Sequence, residues 1–422
     1  MNKFILLLLI ITILAACETK TKSTSDSDFK VNSLKDSLST ELKQLQQTGQ
    51  INGFGVAIVN DGGVLFQNGF GLADVKLGKP YTTNTLQNIA SISKTFIGVA
   101  LLKAQEMGKL NLDDSVGKYL PFDVYNPYYP DKVITVRHLA THTSTILDAD
   151  LYGEKAYLLL NTDDHDLAKS LPSSAEFNLP DLTVDMGTFL KNFLSMDGEW
   201  YGKESFLNKK PGEMYEYSNV GATLAAYIIE LATNQSYDEF TTQHILGPLN
   251  MSASGWAFDS IDPTKHTKLY TVKGEEIPYY SLITYPDGGL ITSINDMAIY
   301  LCELIKGYSG QGELLSKTSY DRIFAALLSE KNFEERDTDR PFDDEYNAGI
   351  FMGHTPIGYL GHMGGDPGVS TFLFFNPQTR IGKLLFVNTD LDANGAKQFY
   401  AIWDKLGEYE TKLAKATISS NL

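Results

Sequence analysis

Two kinds of hydrophobic spacing alternate along the chain. Residues 53–60 and 63–69 are apolar or β-branched runs joined by Asp61-Gly62, the pattern of two strands and a tight turn. Ahead of them, 33–47 carries helical spacing. Behind them, 93–110 places Phe96, Ile97, Ala100, Leu101 and Ala104 on one side of a helix. From about 111 to 284 helical patterns dominate, at 136–142, 186–194, 219–233 and 237–246, between long loops rich in Pro, Asp and Tyr. Within this region 145–185 is poorly periodic and acidic (Asp148, Asp150, Asp163, Asp164), and reads as a surface insertion or lid. After 285 the spacing predicts helices at 295–305 and 317–328. Strands follow at 346–352, 357–362, 370–375 and 383–387, with a closing helix over 396–413.

Strands at both ends and helices between them predict an α+β fold. One antiparallel sheet flanked by helices is built from both chain ends, 34–110 and 285–415. A mainly helical domain, 111–284, is inserted into it and carries its own insertion near 145–210. A length of 422 residues, too great for one ordinary core, agrees with two substructures.

Acidic residues outnumber basic ones 52 to 35, for a formal charge of −17. Such a field repels phosphate backbones and argues against a nucleic-acid partner; its plain use is solubility. The N-terminus is more specific. Lys3 precedes an apolar run from Phe4 to Ile13, and Leu14-Ala15-Ala16-Cys17 follows. A basic start, an apolar stretch too short to span a bilayer and small residues before a cut site make 1–16 a secretory signal. The cysteine after Leu-Ala-Ala resembles the bacterial lipobox. That resemblance implies a lipidated Cys17 and a membrane partner through the anchor, with the protein at the cell envelope facing the periplasm or exterior. An ordinary signal peptide with an incidental cysteine is the alternative. Residues 17–33, rich in Ser, Thr, Lys and Asp, read as a flexible tether. With Cys17 acylated only Cys302 remains, in an apolar helical pattern, as an inert core thiol with no disulfide partner.

Candidate chemistry begins at Ala90-Ser91-Ile92-Ser93-Lys94. Residues three apart share a helix face, so Ser91 and Lys94 bring a hydroxyl and an amine together. A serine hydroxyl needs a base to become a nucleophile, and a lysine in a suitable environment supplies one. The helix start also offers free N–H groups to a developing oxyanion. Spacing alone favours a helix-capping serine and an exposed lysine, since Ser27 and Lys30 match it equally well. Two more segments shift the balance. Tyr217-Ser218-Asn219 lies in a turn leading into a helix. Gly361-His362-Met363-Gly364-Gly365-Asp366-Pro367-Gly368 puts His362 at a strand end, beside glycines that admit close backbone approach. His138 and His142, four apart, have a spacing that can chelate zinc, but no Glu follows His138 and there is no cysteine cluster, so no metal site is expected. No Gly-x-Ser-x-Gly elbow occurs.

These three segments, in this order, resemble the serine β-lactamase and penicillin-binding protein superfamily. The similarity is to its branch of class C β-lactamases, D-alanyl-D-alanine carboxypeptidases, D-aminopeptidases and related esterases. It runs from about Gln46 to beyond Asp390 and includes flanks such as 136–144 and Pro286-Asp287-Gly288-Gly289-Leu290. The resemblance implies Ser91 as the acylated nucleophile, with Lys94 and Tyr217 sharing the proton traffic. It implies that Asn219 holds Lys94 and the substrate amide, that His362, Gly364 and Gly365 line the substrate side, and that the N–H groups of Ser91 and Gly365 form the oxyanion hole. No metal or organic cofactor is implied. The partner is a small peptide, amide or ester, with D-amino-acid peptides or cell-wall fragments preferred and an esterase on small esters as the alternative. His362 stands where the lactamase pattern has Lys-Thr-Gly, which weakens the case for a dedicated β-lactamase. A non-catalytic ligand- or penicillin-binding lipoprotein is the rival from another class. The four residues Ser91, Lys94, Tyr217 and Asn219 argue against it.

Overall fold

In the computed structural model the described residues are 26–171, 175–334 and 348–421. The predicted signal, Cys17 and the first part of the expected tether lie outside them. Residues from Asp26 onward are already helical, so the tether gives way to helix earlier than the composition suggested. Among the described residues no helix is long and apolar enough to cross a membrane.

The Asp61-Gly62 turn joins strand β1 (Gly53–Asn60) to β2 (Gly63–Asp74). The remaining strands of the main sheet are β3 (Lys79–Pro80), β4 (Gly353–His354), β5 (Leu360–Asp366), β6 (Val369–Asn376) and β7 (Ile381–Val387). Their order is β4-β5-β6-β7-β1-β2-β3, with antiparallel pairing at each step. The central β1–β7 pair runs from Phe54 opposite Val387 to Asn60 opposite Ile381, which makes the sheet a joint product of the two chain ends.

Five helices matter for the site: α1 (Asp26–Thr48), α2 (Lys94–Glu106), α3 (Asn219–Thr233), α4 (Ile294–Tyr308) and α5 (Ala393–Asn421). Because side chains alternate across a strand, Phe54, Val56, Ile58, Phe372, Phe374 and Leu385 face one way. They bury against Leu38 and Leu42 of α1 and Ile402, Trp403 and Leu406 of α5. Ala57, Val59, Leu373, Phe375, Leu384 and Phe386 face the other way, into a core shared with α2, α3 and α4. Each of the Val, Ile, Leu and Phe side chains among these contributes about 1.5–3 kcal/mol when fully buried.

Several expectations shift. The strand expected at 357–362 starts at Leu360, because Gly358, with φ +84, first turns the chain. Of the strand expected at 346–352, residues 346 and 347 lie outside the described residues and 348–352 form no strand. The helix expected at 317–328 stops at Ile323. The stretch 145–185 is only partly a surface feature. Ile146, Tyr152, Ala156, Tyr157 and Leu158 are buried, and Tyr157–Leu159 pairs with Tyr280–Leu282.

Candidate active site

Ser91 sits on a single 3-10 turn, Ala90–Ser93, that runs directly into α2. The predicted helix therefore begins earlier and with a tighter turn than its spacing suggested. From Thr85 to Leu102 every residue is buried except Ser91, so the hydroxyl is the one opening in a packed segment. Ala90, just before it, holds φ +49, a region that a residue with a Cβ enters at a cost of about 1–3 kcal/mol.

Lys94 is fully buried. Its Nζ lies 3.0 Å from Ser91 Oγ, 2.6 Å from Asn219 Oδ1 and 2.8 Å from the Asp287 carbonyl oxygen. The last two atoms can only accept. A neutral Lys94 can give both N–H bonds to them and turn its lone pair toward the Ser91 hydroxyl. A protonated Lys94 donates to all three. Either state fits the same heavy-atom positions, as a group that takes and returns a proton requires.

Asn219 is the first residue of α3, whose N-cap Ser218 accepts from Gly221 N–H at 2.9 Å. Tyr217 precedes the cap, its ring centroid 5.0 Å from Lys94 Nζ. The rings of His142 and His362 flank it, 4.5 and 6.2 Å away between centroids. His362 is buried and its Nδ1 lies 2.6 Å from the Met363 carbonyl oxygen. That contact assigns the proton to Nδ1 and leaves a lone pair on Nε2. Burial, joined by the charge of Lys94, pushes the imidazole down to about 4, so it is neutral at physiological pH. Ser91, Lys94, Tyr217, Asn219 and His362 are thus brought together in one place.

A β-lactamase family model matches residues 38–406. The chain belongs to the β-lactamase family. Protein flp of Staphylococcus aureus (strain MW2) is 27% identical over 362 residues, covering 85% of this chain and 64% of that protein. The chain therefore spans less than two thirds of that relative's length. Penicillin-binding protein 4* of Bacillus subtilis (strain 168) is 26% identical over 360 residues, 80% of this chain and 68% of the relative. Two solved structures share the fold. A penicillin-binding protein homologue from Pyrococcus abyssi, described as octameric, has a TM-score of 0.63 at 23% identity, covering 88% of this chain and 77% of the other. A β-lactamase/D-alanine carboxypeptidase from Pseudomonas syringae has a TM-score of 0.61 at 17% identity, covering 89% and 98%.

In this β-lactamase-family chain the two strand glycines differ in use. A Cβ on Gly364 would meet the Ile89 carbonyl oxygen at 2.5 Å, Thr371 Oγ1 at 2.5 Å and Ala90 Cβ at 3.0 Å. Gly364 is thus the close approach that lets the Ser91 segment lie on β5. A Cβ on Gly365 would meet nothing within 4 Å, so that position faces open space.

Three carboxylates escaped the sequence reading. Asp287 entered only within a flanking segment, and its carbonyl oxygen accepts from Lys94 Nζ. Its side chain also accepts from Tyr152 Oη at 3.0 Å and Thr223 Oγ1 at 2.9 Å, and burial, opposed by Lys94, pushes it up to about 6. Asp366 accepts from Tyr157 Oη at 2.6 Å and is pushed up to about 7 by burial. Asp148, assigned to the acidic surface stretch, instead receives hydrogen bonds from the start of α3. In one dimension each is only an Asp in a turn or loop. The two histidines weighed as zinc ligands serve the backbone: His138 Nδ1 accepts from Thr135 N–H at 3.2 Å and His142 Nδ1 from Ser218 N–H at 3.1 Å. Cys302 is buried and its thiol pushed up to about 11, as an inert core residue should be.

Proposed function

We propose that this protein is a serine hydrolase that cleaves a small amide or ester through an acyl-enzyme on Ser91. The observation that carries the reading is the placement of Lys94 Nζ, 3.0 Å from Ser91 Oγ and within hydrogen-bond distance of two atoms that only accept, Asn219 Oδ1 and the Asp287 carbonyl oxygen. Lys94 takes the hydroxyl proton as Oγ bonds to the substrate carbonyl carbon. The carbonyl oxygen, now negative, is met by the N–H groups of Ser91 and Gly365, which belong to two segments packed together at Gly364. Each such donor is worth ~2.7–4 kcal/mol in the transition state. Collapse expels the amine or alcohol with a proton supplied through Tyr217. Water then attacks the ester carbonyl, and Ser91 recovers its proton as the acid leaves.

The preferred substrates are D-amino-acid peptides or cell-wall fragments. Support comes from the envelope location that 1–17 implies and from relatives named for penicillin binding and D-alanine carboxypeptidase activity. Neutral His362 offers no fixed cation to a substrate carboxylate, which favours a peptidase or esterase over a dedicated β-lactamase. The same neutrality favours small uncharged esters as the second reading. A panel of D-Ala-D-Ala peptides, D-amino-acid amides, nitrocefin and p-nitrophenyl acetate, with Ser91→Ala as control, tests both. Ser91-dependent turnover on the first two groups is expected. No turnover anywhere, with no covalent labelling by a fluorescent penicillin or fluorophosphonate, would leave only a binding protein. For the anchor, incorporation of a fatty-acid analogue lost in Cys17→Ser is the expected result.

A further inference from the structure

We infer that Asp148 is a positioning residue, whose carboxylate sets the side-chain amide of Asn219 and through it the acceptor facing Lys94. The inference rests on the acyl-enzyme reading and adds a component to that site.

Asp148 Oδ2 accepts from Asn219 N–H at 3.0 Å and from Asn219 Nδ2 at 2.8 Å. Its Oδ1 accepts from Val220 N–H and from Ser218 Oγ, each at 3.0 Å. The contact to Nδ2 is the informative one. Oδ2 already accepts from the Asn219 backbone N–H and so presents lone pairs on that side, which requires the NH2 end of the Asn219 amide to face Asp148 and the oxygen to face away. The oxygen then points at Lys94 Nζ, 2.6 Å distant. Turned over, the amide would put its oxygen against a carboxylate and its NH2 against an amine. One carboxylate therefore decides that Lys94 sees an acceptor, and with it the direction of the lysine lone pair.

Helix capping alone does not explain the arrangement, since Ser218 already caps α3. The loop that delivers Asp148 is also strained. His142, Thr145 and Ala149 have φ of +53, +74 and +50, three residues with a Cβ in the left-handed region within one short segment. Such strain persists where the surroundings over-determine it, and it gathers at functional sites. His142, at the start of this loop, stacks on Tyr217 and accepts from Ser218 N–H. Asp148, near its end, binds Ser218, Asn219 and Val220. One strained loop thus grips the Tyr217-Ser218-Asn219 turn from both sides.

The test is a double-mutant cycle of Asp148→Asn and Asn219→Ala, read by the rate at which a fluorophosphonate labels Ser91. Asp148→Asn is close to isosteric but exposes an NH2 group where an acceptor is needed. Its maximal labelling rate should fall ~100-fold, the scale of a misplaced reacting group, while the half-saturating probe concentration moves less than about threefold. In the Asn219→Ala background the same change should add less than about threefold, because the group it acts through is gone. Multiplying effects, or a wild-type rate in Asp148→Asn, would overturn the inference. Where Asp148→Asn does not fold, Asp148→Ser completes the cycle. Failure of the wild-type protein to label, together with no turnover on the substrate panel, would instead defeat the acyl-enzyme reading. The same four proteins, compared by urea midpoint, then still decide whether Asp148 holds Asn219: non-additive losses support it and additive losses refute it.

Discussion

Gly364→Ala isolates a steric consequence that the neighbouring residue does not share. The added Cβ would lie 2.5 Å from the Ile89 carbonyl oxygen, where ordinary contacts begin near 3.4 Å. Thr371 Oγ1, also 2.5 Å away, is tied to that same carbonyl by a 2.9 Å hydrogen bond and cannot swing aside without losing it. Backbone must give, so β5 and the Ala90–Ser91 segment part by about 0.9 Å, the shortfall between those two distances. Overpacking of this size costs about 1–3 kcal/mol. A displacement near 1 Å between nucleophile and oxyanion donor costs ~100-fold in rate. Urea unfolding measures the first effect and the rate of fluorophosphonate labelling at Ser91 the second. Gly365→Ala is the internal control, because its Cβ meets nothing within 4 Å and should change stability by no more than ~0.5 kcal/mol. The reasoning fails if Gly364→Ala labels at the wild-type rate with unchanged stability, or if both variants lose stability equally.

Lys94→Met should lower Ser91 acylation by ~10²–10⁴-fold, the usual contribution of a general base; a loss under tenfold would remove Lys94 from that role. Lys383 and Glu410 form a 2.9 Å ion pair beneath the sheet, with side chains 4% and 10% exposed. Lys383→Met strands the carboxylate and should cost about 3–5 kcal/mol, largely recovered in Lys383→Met/Glu410→Met, whereas a single-variant cost below ~1 kcal/mol would contradict this account. The pH dependence of stability contains opposing parts. His362 and His266, each lowered from 6.5 to about 4, lose stability as pH falls through that window, because only the unfolded chain takes up the protons. Asp366 and Asp287, raised from 3.8 to about 7 and about 6, gain stability over the fall toward 3.8, because the folded chain protonates first. Each unmatched proton sets a slope of about 1.4 kcal/mol per pH unit. Asp366→Asn removes one gain and should therefore steepen the loss from pH 6.5 to 4, measured by urea midpoints; a shallower profile would reverse the assignment.

Local pattern was enough for the helix Met186–Leu194 and for α3, with Ser218 capping its start and Asn234 its end at φ +59. The same holds for β1 and its turn, whose signals are held within a few neighbouring residues. Ser91, Lys94, Tyr217, Asn219 and His362 were also visible, not from the spacing of any one segment but from three ordered segments that together resemble a known family. The start of β5 was not, since Gly358 turns the chain within an apolar run that periodicity cannot divide. Nor were Asp148 and Asp287 legible, for their meaning lies in partners far along the chain: Asn219 stands 71 residues from Asp148, and Lys94 stands 193 from Asp287. An acidic loop residue has the same local pattern whether it meets water or the first turn of a buried helix. Sequence alone therefore picked out the candidate groups. Only the tertiary structure decided which atoms orient them, because hydrogen-bond direction depends on what packing brings within 3 Å, not on what stands next in line.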